Sequence, residues 1–164
     1  PIGKAGGACG LWAKGANVRR NQGLVTIGRG RVEIQRNTQK VRPWMRRGAV
    51  SGWPMLVQGC AAIRDLPGSD FFTRTPLPRT AAATSKDGRM LYFVVVDQAT
   101  LPQLAELLVK DVGACAAMNL DGGSSTTMWA GSGIVYRPAD GVERKVGNHL
   151  AVVGAADYRG CERK

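Results

Sequence analysis

The sequence predicts an α+β fold in which a mixed, largely buried β-sheet is flanked by helices. Residues 90–97 are almost all apolar, which is typical of a central strand buried on both faces. Residues 114–120 form a second apolar run. Between these runs, residues 100–112 combine a capping box with an apolar helical face. A helix that connects two buried strands implies a right-handed crossover within one sheet.

Length and composition agree with a single folded domain. The chain has 164 residues, which is enough for one sizeable core. Its 44% hydrophobic and 21% charged residues are ordinary for a globular chain. No apolar run has the length of a membrane span. The predicted organisation is an irregular basic arm at 1–22, a domain at 23–154 and a C-terminal tail at 155–164.

The first part of the domain reads as short strands. Residues 24–27 and 32–34 alternate apolar and polar side chains around a glycine-containing turn, which predicts a hairpin. Residues 36–48 are rich in lysine and arginine and predict an exposed basic loop. Residues 49–62 predict a strand that bends or bulges at its internal glycine and proline.

The second part contains the remaining elements. Residues 65–78 hold three prolines and predict a loop that could cover the site. Residues 79–84 predict a strand that turns through residues 85–88 into the apolar run described above. Gly113 is the predicted end of the helix. Residues 150–153 predict the last strand.

Residues 119–128 are the most informative stretch of the chain. The carboxylate of Asp121 is followed by two glycines and four consecutive hydroxyl side chains. Glycines let the backbone turn sharply and let a ligand approach bare N–H groups. Serine and threonine suit the first turn of a helix, where unpaired N–H groups attract anions. The stretch predicts chemistry on an anionic substrate, and a well-capped strand-to-helix turn is the alternative.

Several segments of the sequence resemble the phosphodiester glycosidase family, in its order and spacing, over residues 23–154. They are Asn119-Leu120-Asp121-Gly122-Gly123, Pro78-Arg79-Thr80-Ala81-Ala82, Lys86-Asp87-Gly88-Arg89, residues 91–97, residues 101–108, Arg137-Pro138, Asp140-Gly141, Glu143-Arg144, Val146 and Asn148. Residues 51–57 are more loosely similar to an earlier strand of the family. The resemblance implies hydrolysis of a sugar-1-phosphodiester in an extracytoplasmic setting.

Three departures from the family pattern affect this interpretation. Ser124 stands where the family usually has a third glycine, and His149 stands where it usually has a small residue. The family's N-terminal segment of asparagine, two glycines and an aromatic residue has no recognisable counterpart in residues 1–22. We therefore expect a second polypeptide, or an oligomer of this chain, to complete the domain.

The resemblance and the chemistry of the leaving group together predict roles for three residues. A phosphodiester leaves as a stable anion, so the site needs positive charge and N–H donors more than a general acid. Asp121 is the predicted carboxylate near the sugar carbon, Arg79 is predicted to hold the phosphate in the same cleft, and Asp97 is predicted to share the catalytic work. The alternatives are a capping role for Asp97 and, for Arg79, a salt bridge to Asp121 or Glu143.

The other predicted site residues bind substrate. They are Thr80, Gly122, Gly123, Ser124, Ser125, Thr126, Arg144 and Asn148. No cofactor is predicted, and a divalent metal is not excluded. A zinc site is not expected because the chain has no CxxC pair.

The charge and the cysteines predict the setting. A net charge of +11 attracts polyanions without sequence specificity, so the predicted partners are a phosphorylated carbohydrate or an anionic envelope polymer, and not a specific nucleic-acid sequence. A non-catalytic basic binding module of the same fold is the alternative function. Four cysteines allow three pairings into two disulfides. At least one disulfide is expected, and therefore a periplasmic or secreted location.

Overall fold

This computed structural model describes residues 21–28, 31–36, 49–138, 140–145 and 150–152. These residues contain ten strands and two α-helices. In chain order they are β1 Gly23–Gly28, β2 Arg31–Arg36, β3 Ala49–Gly52, β4 Met55–Gln58, β5 Ala61–Ala62, α1 Asp70–Arg74, β6 Leu77–Thr84, β7 Leu91–Ala99, α2 Leu101–Lys110, β8 Ala116–Asn119, β9 Met128–Ala130 and β10 Gly133–Tyr136. A single 3₁₀ turn, Gly123–Ser125, lies between β8 and β9. The predicted α+β class is confirmed.

The main sheet has five strands in the order β5-β4-β8-β6-β7. Each pairing in it is antiparallel within the described residues. Strands β7 and β8 therefore run parallel to one another with β6 between them, and α2 connects them across the sheet. Both strands end at the same edge of the sheet, as expected for the two strands that this helix joins.

The prediction that residues 90–97 form the central strand is wrong. Strand β7 lies at the edge of the sheet, and its residues 91–96 are only half-buried. The central strand is the four-residue β8, in which Ala117 and Met118 are fully buried. One face of β7 packs against the helix layer, and β-branched residues are favoured in strands whether central or at an edge. Together these produce an apolar run that looks in sequence like a strand buried on both faces.

Two hydrophobic clusters pack against opposite faces of this sheet. On one face, α2 buries Leu101, Leu104 and Leu108 against alanines and aliphatic residues of β4, β6 and β8. On the other face, a three-stranded sheet of order β2-β1-β3 packs through Val25 and Val32 against the main sheet. The result is three layers, with the five-stranded sheet in the middle.

The capping signals around α2 are confirmed. The Thr100 hydroxyl accepts a hydrogen bond from the Gln103 backbone N–H, and the Gln103 side chain accepts one from the Thr100 N–H. Helix α2 ends at Lys110, and Gly113 follows with a positive φ of 72°. This reciprocal cap satisfies two of the N–H groups that have no partner inside a helix.

The remaining predictions about elements have mixed outcomes. The hairpin of β1 and β2 and the strand break between Gly52 and Met55 are confirmed. Residues 65–78, expected to be a loop, contain α1, which begins because the Ser69 hydroxyl accepts from the Phe72 N–H. Residues 150–152 are not a strand. Residues 1–20 of the predicted arm, the tail at 155–164 and residues 37–48 of the basic loop lie outside the described residues. The last two residues of the predicted arm belong to the domain, since Asn21 is buried and hydrogen-bonds to the Met55 backbone, and Gln22 is half-buried.

One disulfide, Cys60–Cys115, joins the end of β4 to the start of β8 across 55 positions of sequence. The Cys60 N–H also donates to the Cys115 carbonyl at 3.0 Å. The expectation of at least one disulfide is confirmed, while Cys9 and Cys161 lie outside the described residues. None of the helices seen in the described part of the chain is long and apolar enough to span a bilayer.

Candidate active site

A cleft of about 550 Å³ opens where β8 ends. Residues 119–123 form one side of it, and residues 51–53 form another. Gln22, Phe72, Leu77 and Arg79 complete the lining. The structure therefore brings Asp121, Gly122, Gly123 and Arg79 to one cleft at a strand-end edge.

The turn after β8 has its shape because of its two glycines. A side chain at Gly122 would place its Cβ 2.8 Å from the Pro78 carbonyl oxygen, closer than such contacts allow. Gly123 has a φ of 59°, which glycine adopts without strain. Asp121 is exposed, and its Oδ1 accepts a hydrogen bond from the Gly122 N–H at 3.0 Å. Within the described ranges, no hydrogen bond from the Gly123 N–H is found.

The sequence predicted that the four hydroxyl residues begin an α-helix, and this prediction is wrong. They pass through the single 3₁₀ turn and lead into β9, because Thr126, Thr127 and the residues after them have strand-forming side chains. Ser124 is exposed and Ser125 half-buried, and neither lines the cleft. Thr126 is completely buried, and the Thr80 hydroxyl lies 3.5 Å from its own. This contact connects β6 to the residue that follows the 3₁₀ turn and so helps to hold the turn in place.

Arg79 is held by backbone carbonyl groups and not by a carboxylate. Its Nε donates to the Ala99 oxygen at 3.0 Å, and its Nη2 donates to the oxygens of Phe72 and Thr75 at 2.8 and 2.9 Å. Burial lowers the pKa of this guanidinium, which stays charged because an arginine pKa begins far above neutrality. Its Nη1 has no hydrogen-bond partner among the described residues. The salt bridges to Asp121 and Glu143 are not formed, and Glu143 pairs with Arg137 instead.

Asp97 does not share the cleft with Asp121. Its carboxylate is exposed and accepts a hydrogen bond from the Tyr136 hydroxyl at 2.8 Å, so it ties the β9–β10 hairpin to the main sheet. Burial first, and then this bond to Asp97, raises the pKa of Tyr136. The two carboxylates remain apart because β6 lies between the strands that carry them.

Two further predicted residues are not placed at the cleft. Arg144 is exposed and donates to Asp140 Oδ2 at 3.3 Å, away from the lining residues. Asn148 lies outside the described residues. In the described part of the chain, no group of three or more histidine, cysteine, aspartate or glutamate side chains is arranged to hold a metal ion.

Among the cleft residues that were not predicted from the sequence, three have side chains with defined contacts. Asn119 is only 4% exposed, and its Nδ2 donates to the Trp53 carbonyl at 2.9 Å, while its Oδ1 has no partner in the structure as described. The Trp53 and Phe72 rings stack with their centres 5.2 Å apart. The signals were available: Asn119 begins the central motif, and Trp53 stands between a glycine and a proline at a strand break.

Comparison with known proteins decides the family. The model of the phosphodiester glycosidase family matches residues 7–153, which is most of the chain. The chain belongs to this family. The match begins within residues 1–22, earlier than the resemblance identified from the motifs. No curated protein sequence matches the chain significantly.

Comparison with a solved structure supports the fold. The chain is similar to the catalytic domain of zebrafish N-acetylglucosamine-1-phosphodiester alpha-N-acetylglucosaminidase, a structure described as auto-inhibited by its pro-peptide. The TM-score is 0.58 at 21% identity, covering 74% of this chain and 48% of that one. The chain thus spans about half the length of that relative. A hypothetical protein from Synechocystis matches with a TM-score of 0.46 at 18% identity, covering 74% of this chain and 32% of that one.

Proposed function

We propose that this chain hydrolyses a sugar-1-phosphodiester, with the cleft at the end of β8 as its active site. One observation carries the proposal. In a member of the phosphodiester glycosidase family, the same cleft is lined by an exposed carboxylate, a buried cation and a backbone N–H that has no acceptor among the described residues. These groups belong to Asp121, Gly123 and Arg79.

The proposed chemistry follows from the leaving group. A phosphodiester oxygen leaves as a stable anion, so the enzyme must stabilise negative charge on the phosphate and positive charge on the sugar carbon. Arg79 and the Gly123 N–H serve the phosphate, since both have donors without a partner among the described residues. Asp121 faces the sugar carbon as positive charge develops there. The three carbonyl bonds to Arg79 fix its guanidinium before substrate arrives, so it need not reorganise during the reaction.

The residues outside the cleft take supporting roles in this proposal. Thr80 and Thr126 hold the turn in shape, and Asp97 anchors the hairpin through Tyr136. Ser124 and Ser125 directly follow the cleft turn and are proposed to reach the phosphate from its rim. Arg144 and Asn148 remain proposed substrate contacts on the basis of the family motif alone.

An extracytoplasmic setting is part of the proposal. Disulfides persist in oxidising compartments, and Cys60–Cys115 is such a bond. The net charge of +11 favours substrates attached to anionic polymers, because clustered positive charge raises their local concentration.

The test is release of free sugar from a panel of sugar-1-phosphodiesters, including N-acetylglucosamine-1-phosphodiesters, by the full chain. Asp121→Asn should lower kcat by about 10³-fold, since removing one group that stabilises transition-state charge costs several kcal/mol. Its melting temperature should stay close to that of the wild type because the Asp121 side chain is exposed. Asp87→Asn, which alters another exposed aspartate in a turn, is the matched control and should keep full activity. An active Asp121→Asn enzyme would remove this residue from the mechanism, and a wild type inactive on the whole panel would overturn the proposed function.

A further inference from the structure

We infer that Trp53 is the platform on which the sugar ring of the substrate stacks, an inference that rests on the proposed function. Trp53 lies in the break between β3 and β4 and lines the same cleft as Asp121. It was not among the residues expected to bind substrate. The inference assigns the sugar to one wall of the cleft and thereby orients the substrate.

The Trp53 ring is held in place before any ligand binds. Its ring stacks on Phe72 at 5.2 Å with an angle of 23° between the planes. The chain that follows it is fixed by Asn119, whose Nδ2 donates to the Trp53 carbonyl and whose N–H donates to the Pro54 carbonyl. Gly68 leaves room for this stack, since a Cβ there would lie 2.8 Å from the Phe72 ring and 3.4 Å from the Trp53 ring. A half-buried ring fixed in this way makes a preorganised binding surface.

The chemistry around the ring fits a sugar phosphate. The Arg79 guanidinium carbon lies 5.5 Å from the centre of the Phe72 ring on which Trp53 stacks, so an anion site adjoins the aromatic wall. Polar side chains, those of Gln22, Ser51 and Asn119, share the lining. A sugar 1-phosphate has one apolar C–H face, a rim of hydroxyl groups and one anion. These three features correspond to the aromatic ring, the polar lining and the cation.

Asn119 connects this platform to the catalytic carboxylate. It binds the Trp53 backbone and stands two residues before Asp121, so one residue positions both the stacking ring and the reacting turn. Its buried Oδ1 keeps no partner within the described ranges. The Trp53 carbonyl can accept a hydrogen bond only from the nitrogen of the Asn119 amide. This bond therefore fixes the orientation of the amide and identifies Oδ1 as the atom without a partner among the described residues.

Kinetics with phosphodiesters that differ only in their sugar test the inference. Trp53→Ala should raise KM about 10-fold or more for sugar-1-phosphodiesters with a smaller change in kcat, since the apolar contact of a sugar face with the ring is worth roughly this factor in affinity. Trp53→Phe should restore much of the affinity. Trp129→Phe is the control, because Trp129 is 62% exposed on β9 and does not line the cleft. An unchanged KM in a folded Trp53→Ala protein would overturn the inference, and so would a KM effect that follows the aglycone and not the sugar.

Fluorescence separates this inference from the proposed function. Titrating the wild type with a methyl glycoside of N-acetylglucosamine should change tryptophan emission, and inorganic phosphate alone should not reproduce the change. The signal should disappear in Trp53→Phe and persist in Trp129→Phe. A Trp53-dependent signal in a chain that hydrolyses no phosphodiester would support the platform and sink the proposed function. Hydrolysis that depends on Asp121, with no Trp53-dependent signal and no change in KM, would support the proposed function and overturn the role given to Trp53.

Discussion

The two ends of the five-stranded sheet use the same residue types in opposite ways. The closed end consists of the turn at 85–88 together with Cys60 and Cys115, and the open end consists of the turn at 119–123. Both turns contain an aspartate, a glycine with a positive φ and a nearby serine. Their hydrogen-bond partners differ.

At the closed end the polar groups of the turn are paired. Asp87 Oδ1 accepts from the Ser85 hydroxyl at 2.6 Å and from the Arg89 N–H at 3.1 Å, and the Ser85 hydroxyl accepts from the Met90 N–H. At the open end, and within the described residues, Asp121 accepts only from its neighbour Gly122 and the buried Oδ1 of Asn119 is unpaired. Polar groups kept without partners can bind a ligand, whereas paired groups stabilise the fold.

The largest expected effect on stability is at the closed end. Replacing Cys60 and Cys115 together by alanine should lower the free energy of unfolding by about 4 kcal/mol, because the bond closes a long loop in the unfolded chain. Denaturant titration measures this loss. Activity at low temperature should be retained, since the bond is at the far end of β8 from the cleft. A folded double variant that has lost activity would show that the two ends are coupled.

The next largest effects are expected from glycine substitutions, which should affect stability at the closed end and activity at the open end. Gly88→Ala places a Cβ 2.6 Å from the Val32 carbonyl oxygen at a φ of 69° and should cost about 2 kcal/mol or more of stability with activity kept. Gly122→Ala meets the Pro78 carbonyl at 2.8 Å and should displace the cleft turn, with a loss of activity larger than its loss of stability. Gly131→Ala, at a φ of 59° in open space, measures the backbone strain alone. Equal stability and activity losses in Gly88→Ala and Gly122→Ala would abolish the distinction.

A smaller effect is expected at the cap of α2. Thr100→Ala removes the acceptor for the Gln103 N–H and should cost about 1 kcal/mol. Thr100 follows β7, close to the edge that carries the open end, but it does not line the cleft. Thermal melting should therefore change while kcat and KM do not. A changed KM would mean that the open end extends to the start of α2.

The smallest expected effect is a pH dependence at the closed end. The hydrogen bond from Ser85, and then that from the Arg89 N–H, hold the pKa of Asp87 below its usual range. A depressed folded-state pKa contributes stability above the unfolded pKa of about 4, and this contribution is lost as pH falls through the folded value. The stability difference between wild type and Asp87→Asn should thus shrink as the pH is lowered below about 4. A difference that stays constant with pH would contradict the role given to Asp87.

Local signals in the sequence predicted the elements that local interactions create. The capping box at Thr100, the hairpin of β1 and β2 and the break between Gly52 and Met55 all depend on neighbouring residues, and they are confirmed. The place of β7 in the sheet depends on which strand pairs with it. An apolar run does not encode that choice, so an edge strand was taken for a central one.

The site was predictable where the motifs of the family carried its residues. Asp121, Gly122 and Gly123 lie in one turn, and Arg79 reaches the same cleft through β6. Asp97 does not reach the cleft because β6 lies between its strand and β8. The sequence predicted β6 as a strand but not its place between β7 and β8. Trp53 and Phe72 are 19 positions apart and meet only through the packing of α1, so their stack has no sequence pattern.

The place of β8 in the sheet links assembly to activity. Its neighbours β4 and β6 both precede it in the chain, and β8 pairs with each of them. Until residues 116–119 enter, β4 and β6 each expose an open edge, which is a hazard for aggregation during synthesis. The same insertion carries Asn119 and Asp121 into position. The closure of the sheet therefore also places the turn of the candidate site, and a chain in which β8 has not yet paired lacks that site.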